Sequence, residues 1–297
     1  MATPPTPALP PLGPDDLVLC AAPLSATPLF DRLAPAKAAG FAALSLTPVE
    51  VWALEAQGVT AAEIAARVAD AGLRIAELDC TACWMDRHAR VPATGDTEMA
   101  QLLRSLTAER VVETAARLGA RSVAAIDMSD TPPTLDEAAE GFARLCDHAA
   151  QHGLLAHIEF LPVGGICTLA QAWAIVQAAG RENGGITLDA WHFFRSGSTL
   201  DQLWRIPGHR IHAIQLCDAP ATPQPDLWTE LMTARLLPGE GDIDLAGLVR
   251  TLSAIGCTAP VGVEVFHERQ QHQTITTIAR DWATSTRAVL CTAKEQA

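Results

Sequence analysis

The chain has 297 residues, 49% of them hydrophobic and 19% charged, with 21 Lys and Arg against 34 Asp and Glu, a net charge of −13. This is the composition of a folded globular chain, long enough to bury roughly three quarters of its unfolded surface without staples. The charge balance argues against a general nucleic-acid binder, which needs a basic face to displace counterions, and against docking on anionic lipid; no apolar run approaches the ~20 residues of a membrane span.

Met1–Pro14 is Pro-rich and uncharged, without the basic start of a signal peptide. It reads as a flexible tail (residues 1–14) ahead of one domain over residues 15–297, in a cytoplasmic protein. Short apolar runs bounded by turn residues then alternate with longer Ala- and Leu-rich stretches to the end of the chain. The runs Leu17–Cys20, Phe41–Leu46, Leu73–Asp79, Ser122–Asp127, Leu154–Phe160, Gly185–Asp189, Ile211–Cys217 and Val261–Phe266 have the near-continuous hydrophobicity of buried parallel strands. Amphipathic segments between them, Thr60–Ala71, Met99–Leu118, Thr134–His152, Thr168–Ala179 and Leu245–Ile255, read as helices. Thr60-Ala61-Ala62-Glu63 fits a capping box, and Gly40, Gly72, Gly119, Gly153, Gly180 and Gly256 stand where helices should stop.

Eight such units at about 35 residues each predict a closed (β/α)8 TIM barrel in a single domain. A doubly wound open sheet is the structural alternative, but no GxGxxG follows the first strand, so no nucleotide cofactor is expected. The eight cysteines mostly lie inside apolar segments, where they act as small buried hydrophobes, and the lone Cys80-x-x-Cys83 pair is read as reduced and structural.

Two connections, Thr81–Thr97 and Asp218–Asp244, are longer than the rest, and both follow strand C-termini, the face on which barrels build sites. The first carries Trp84, Arg87 and His88, which could close a pocket; the second carries Arg235 and Glu240 beside a Pro-Gly turn, a candidate substrate lid. Four consecutive strands end in oxygen-bearing side chains: Glu159, Asp189, Gln215 and Glu264. Isolated buried anions cost several kcal/mol each. Arg195 and Arg235 could pair with them, but three carboxylates and an amide oxygen also make a hard site suited to one Mn²⁺ or Mg²⁺ ion. Trp191 is an apolar wall or a core residue, Asp218 a partner to a metal ligand, and His267 and His272 surface residues.

The tracts His157-Ile158-Glu159-Phe160, Leu188 to Gly197, Gln215 to Asp218, Leu237 to Asp242 and Val263-Glu264-Val265-Phe266 resemble the sugar phosphate isomerase/epimerase family, the xylose isomerase-like branch of TIM barrels. The resemblance implies that Glu159, Asp189, Gln215 and Glu264 match the family's metal ligands and His192 its substrate-contacting histidine. Gln215 departs from the histidine that many members carry there, and Ala221 and its neighbours offer no arginine like the one that binds substrate in ketose epimerases. The activity so implied is that of a metal-dependent isomerase or epimerase of a small sugar-, ketose- or polyol-like substrate, with Glu159 and Glu264 exchanging a proton through an enediolate, and with Arg195 and Arg235 able to contact substrate. A dehydratase of inosose or dehydroshikimate type is the alternative, and a non-catalytic sugar-binding barrel stands in another class. A DNA-repair endonuclease of this superfamily, with its His-rich three-zinc cluster, fits poorly with nine histidines and a charge of −13. A homo-oligomer is compatible with the sequence; a nucleic-acid or membrane partner is not expected.

Overall fold

Residues 11–90 and 97–296 of the chain are described, from a computed structural model. Eight strands, β1 Leu17–Leu19, β2 Ala43–Leu46, β3 Arg74–Thr81, β4 Ser122–Ala125, β5 Leu155–Glu159, β6 Gly184–Asp189, β7 Ile211–Leu216 and β8 Val261–Val263, pair in parallel, each with the next. β1 also pairs with β8, Leu17 opposite Val261 and Leu19 opposite Val263, so the sheet closes and the open doubly wound alternative is excluded.

The helices run α1 Leu29–Ala38, α2 Pro48–Ala56, α3 Ala61–Asp70, α4 Glu98–Ser105, α5 Ala108–Leu118, α6 Leu135–Ala150, α7 Leu169–Ala179, α8 Ala190–Arg195, α9 Leu200–Leu203, α10 Leu227–Thr233, α11 Leu245–Ala254 and α12 Ile275–Glu295. One apolar cluster joins strand residues such as Leu44, Leu78, Val123, Ile158, Leu188 and Leu216 to helix residues such as Val112, Phe142, Ile175, Leu248 and Trp282. Each large aliphatic side chain so buried stabilises the fold by about 1.5–3 kcal/mol.

Three local expectations change. The helix expected over Met99–Leu118 is two helices, because the chain leaves helical geometry at Leu106 and Thr107 caps a new start, accepting from the Arg110 N–H. Thr60 caps α3 by accepting from Glu63 N, but Glu63 turns its own carboxylate to Arg67, so only half of the capping box forms. Of the Pro-rich stretch, residues 1–10 lie outside the described residues; Leu12 already packs against Val18, Ala43 and Ala76, a small cluster separate from the main core.

Two residues below the strand tops lies a buried polar layer. His157 on β5 has Nδ1 2.6 Å from Thr187 Oγ1 and Nε2 3.0 Å from Ser122 Oγ and 3.4 Å from Glu77 Oε2. The β6–β7 register passes from Ile186–Ile211 to Thr187–Ala213, skipping His212. Gly185 makes room for that ring, since a Cβ there would lie 2.3 Å from it.

Candidate metal centre

The C-terminal ends of the strands gather the acids. Glu159 is the last residue of β5 and Asp189 the last of β6; Gln215 lies beside Asp189 in register on β7, and Glu264 directly follows β8. All four side chains are buried. Asp189 does two things at once. Its Oδ1 accepts from His192 N at 2.8 Å, capping α8 and turning His192 back over the strand ends, while its Oδ2 accepts from Arg235 Nη1 at 2.8 Å. His192 Nε2 then stands 3.3 Å from Glu159 Oε1.

The donor set fits a divalent cation. Glu159, Asp189 and His192 each offer a ligand atom, all within 4.8 Å of one another. Among the described residues, Gln215 Oε1 and His192 Nδ1 are buried without a hydrogen-bond partner, an arrangement that costs free energy unless something else satisfies them. Gly262 opens the space that the glutamine uses: a Cβ there would meet Cys20 Sγ at 3.0 Å and Gln215 Cγ at 3.4 Å. Burial pushes the Glu264 carboxyl well above the usual range, against the pull of Arg235 and with the help of Glu159, Asp79 and Asp189. The set is mostly oxygen, which suits Mn²⁺ or Mg²⁺, with one imidazole that also admits zinc.

Several expected roles change. His192, expected at the substrate, lies within ligand distance of the two acids, because the Asp189 cap winds α8 back toward β5. Of the two expectations for Arg235, pairing with the strand-end acids is the one the structure bears out, not a solvent-facing lid: it is 1% exposed, and its Nη1 lies between Asp189 Oδ2 at 2.8 Å and Glu264 Oε2 at 3.3 Å. Arg195 is likewise spent on structure, donating from Nε to Glu230 Oε1 at 2.6 Å and from Nη2 to Pro220 O at 2.6 Å. Trp191 is fully buried and donates to the same Glu230 oxygen at 2.9 Å, the core alternative rather than a wall against substrate. Asp218 accepts at its carboxylate from the backbone of Ala219, Gly239 and Ile243 and so shapes the Pro-Gly turn rather than supporting one of the four strand-end side chains. Glu240 is exposed on that turn, where its charge is felt by His267 rather than by the acids.

His267 caps a short 3-10 helix by accepting from Arg269 N at 3.0 Å, and His272 is exposed. In the connection after β3, residues 91–96 lie outside the described residues. Trp84 is buried, donating to Ile126 O at 2.7 Å, and His88 Nε2 is 3.1 Å from Asp127 Oδ1. Arg87 reaches Thr131 and Glu137. Arg87, His88, Arg90 and Arg104 line a cavity of about 140 Å³ on this side. Cys80 and Cys83 are free thiols; burial, and after it the Asp79 and Glu159 charges, pushes the Cys80 thiol well up.

Sequence reasoning missed four acids. Asp79 on β3 faces the cluster, its carboxyl pushed well up by burial and by the Glu159 and Glu77 charges; Glu77 lies beneath it. Asp127 pairs with His88 at the end of the β4 segment. The signal for Asp79 and Asp127 was present, since both end an expected strand. Glu230, which ties Trp191 and Arg195 to α10, carried none: it is one acid in a polar connection.

A family model for xylose isomerase-like TIM barrels matches residues 33–287 of the chain. The chain belongs to that family. Among xylose isomerase-like relatives, an inosose isomerase of Bacillus velezensis is 32% identical over 163 residues, covering 52% of this chain and 57% of that protein. A 3-dehydroshikimate dehydratase of Pseudomonas aeruginosa is 33% identical over 132 residues, covering 44% of this chain and 20% of that larger protein. The matches thus span 43% to 58% of the length of the inosose isomerases and 20% of the dehydratases. Among solved structures, the IOLI protein with a bound zinc atom superposes with a TM-score of 0.78 at 21% identity, over 92% of this chain and 97% of that one. An L-ribulose 3-epimerase superposes at 0.69 and 19% identity, over 94% and 96%. At those identities the likeness concerns the xylose isomerase-like fold. No helix among the described residues is long and apolar enough to cross a membrane.

Proposed function

We propose that the chain is a divalent-metal-dependent isomerase or epimerase of a small sugar-, ketose- or polyol-like substrate. The observation that carries this reading is the convergence of Glu159, Asp189 and His192, whose ligand atoms lie within 4.8 Å of one another, with the unpartnered Gln215 Oε1 on the next strand and Glu264 across Arg235 from Asp189. Glu159, Asp189, Gln215 and Glu264 would hold the ion, with His192 as a further donor. A bound divalent ion would supply Lewis acidity, drawing electron density from a substrate carbonyl and hydroxyl and so acidifying the adjacent C–H.

The proton work falls to the chain. Glu159, beside His192, serves as the base that takes the carbon-bound proton, and Glu264, across Arg235 from Asp189, returns one. The buried walls around these carboxyls keep water from competing for that proton. Inosose isomerase relatives at 32% identity support a polyol-like substrate.

A second reading is favoured by the similarity to 3-dehydroshikimate dehydratase and by the cationic side chains around the β3–β4 cavity, which would suit a carboxylate. The same proton abstraction then ends in loss of a leaving group. Turnover in D₂O of ketoses, inososes and dehydroshikimate-like acids by the metal-loaded protein distinguishes the two by mass spectrometry. An isomerase returns deuterium into a product of unchanged formula, and a dehydratase yields a product lighter by one water. Loss of neither metal binding nor turnover in Glu264→Gln, with no solvent exchange at carbon, would overturn both.

A further inference from the structure

Arg235 sits where a metal ion would compete with it. A single nitrogen, Nη1, is 2.8 Å from Asp189 Oδ2 and 3.3 Å from Glu264 Oε2, and Nη2 is 3.5 Å from His192 Nε2. The guanidinium therefore meets three of the groups assigned as metal donors. Its seat is built by the fold. The Arg235 backbone N–H donates to Phe266 O at 2.9 Å, its Nε donates to Leu231 O at 3.2 Å, and its charge lies 5.4 Å from the Trp191 ring and 5.1 Å from the Phe266 ring. Glu230 on α10 fixes that neighbourhood through Trp191 and Arg195.

We infer that Arg235 is a resident counter-cation that pairs Asp189 and Glu264 in the metal-free protein and must give them up when a divalent ion binds. The inference rests on reading these acids as metal ligands. A carboxylate oxygen that accepts from a guanidinium has less electron density to offer a metal, and a guanidinium beside a divalent ion is repelled by it in a poorly screened interior. The metal-free protein is thereby spared a buried cluster of unpaired acids, at the cost of a metal affinity lowered by the fraction of sites that Arg235 holds closed. The backbone allows the exchange. Residues 234–236 follow α10 and are held to the barrel by two isolated bridges, Ala234 with His267 and Asp218 with Leu236, which use backbone atoms and not the guanidinium.

Chelator-competition titrations of Mn²⁺ and of Zn²⁺ against the wild-type chain and Arg235→Met test this directly, with thermal unfolding of each metal-free form alongside. The methionine keeps much of the side chain's length without its charge. The expected result is metal binding at least tenfold tighter in Arg235→Met, together with a lower metal-free Tm that saturating metal recovers. Equal or weaker binding by the variant, with the wild type binding normally, overturns the competition while leaving the metal centre intact. If neither protein binds either ion, the metal reading falls and the inference with it. Should Arg235→Met not fold, the guanidinium N–H signals of the wild type decide: saturation with Mg²⁺ should speed solvent exchange of the Arg235 side-chain N–H protons as they leave Asp189 and Glu264, and unchanged or slower exchange overturns the proposal.

Discussion

Two residues below Glu159 on β5, about 6.6 Å along the strand, His157 is as deeply buried as the acids above it, yet its surroundings are of another kind. Both of its ring nitrogens have hydrogen-bonding neighbours on adjacent strands, Thr187 on β6 and Ser122 on β4. Burial drives its pKa well below the usual value, His212 and Arg121 adding to the push, so the ring is neutral. Glu77 beside it is raised to about 7 by burial and by Glu159, against the pull of Arg121. The upper layer instead crowds Asp79, Glu159, Asp189 and Glu264 around one arginine and one histidine, and leaves Gln215 Oε1 and His192 Nδ1 unpartnered. Two polar layers equally out of solvent thus differ in their balance of donors and acceptors. The lower one uses most of its polar atoms to hold strands in register, with His212 Nε2 its unpartnered exception, whereas the surplus of carboxylates above marks a place suited to a cation.

That contrast predicts opposite responses to mutation. In the upper layer, Glu159→Gln and Glu264→Gln should each lower turnover by about 10² to 10⁴-fold or more, because each removes a proton carrier, while thermal unfolding shows the barrel intact. In the lower layer, His157→Leu should cost about 3 kcal/mol in denaturant unfolding, since it leaves Thr187 and Ser122 hydroxyls short of a partner in the interior. Metal bound per folded molecule should stay unchanged. Loss of stability in the first pair, or loss of metal without loss of stability in the second, would break the distinction.

The pH dependence of stability sharpens it. The Glu77 pKa rises from 4.5 to about 7 on folding, so its contribution is fully present below pH 4.5 and is lost as pH rises toward 7, by about 3 kcal/mol at most. For His212 the sign is reversed: its pKa falls from 6.5 to about 4, and its contribution, present above pH 6.5, is lost as pH falls through that window. Between pH 4.5 and 6.5 the two contributions oppose each other, so Glu77→Gln should make stability rise more steeply with pH there than in the wild type, leaving the acid-side loss due to His212. An unaltered profile in urea unfolding across that range would show that Glu77 is already ionised.

Smaller effects test the edges of the upper layer. Gln215→Ala should weaken Mn²⁺ binding by about tenfold, less than Glu159→Ala, because a neutral donor is removed rather than a charge; equal losses in a metal titration would take Gln215 out of the ligand set. Smallest of all, the double change Cys80→Ser and Cys83→Ser should leave turnover within about twofold, as small thiols with raised pKa values are neither strong nucleophiles nor ready ligands. A large loss of activity with metal retained would place the β3 connection in the chemistry.

The barrel was legible in the chain because its signals are local. Runs such as Gly185–Asp189 are too short and too apolar to be anything but buried strands, glycines stop the helices before them, and eight repeats of one length leave few ways to close a sheet. The acids were legible for a related reason: a carboxylate ending an otherwise apolar strand, as Glu159 and Asp189 do, has its position along the barrel axis set by the strand itself. Asp79 carries the same signal. Side chains outside the strands were a different matter. That His192 would turn back onto Glu159 depends on the Asp189 cap, and that Arg235 would lie between Asp189 and Glu264 depends on how the connection after β7 is tied down by Glu230 and Asp218. A strand period fixes where its own side chains go, within one residue's rise. A connection of more than twenty residues can deliver an arginine to the surface or to the centre of the site, and only the long-range hydrogen bonds of the folded chain choose between them.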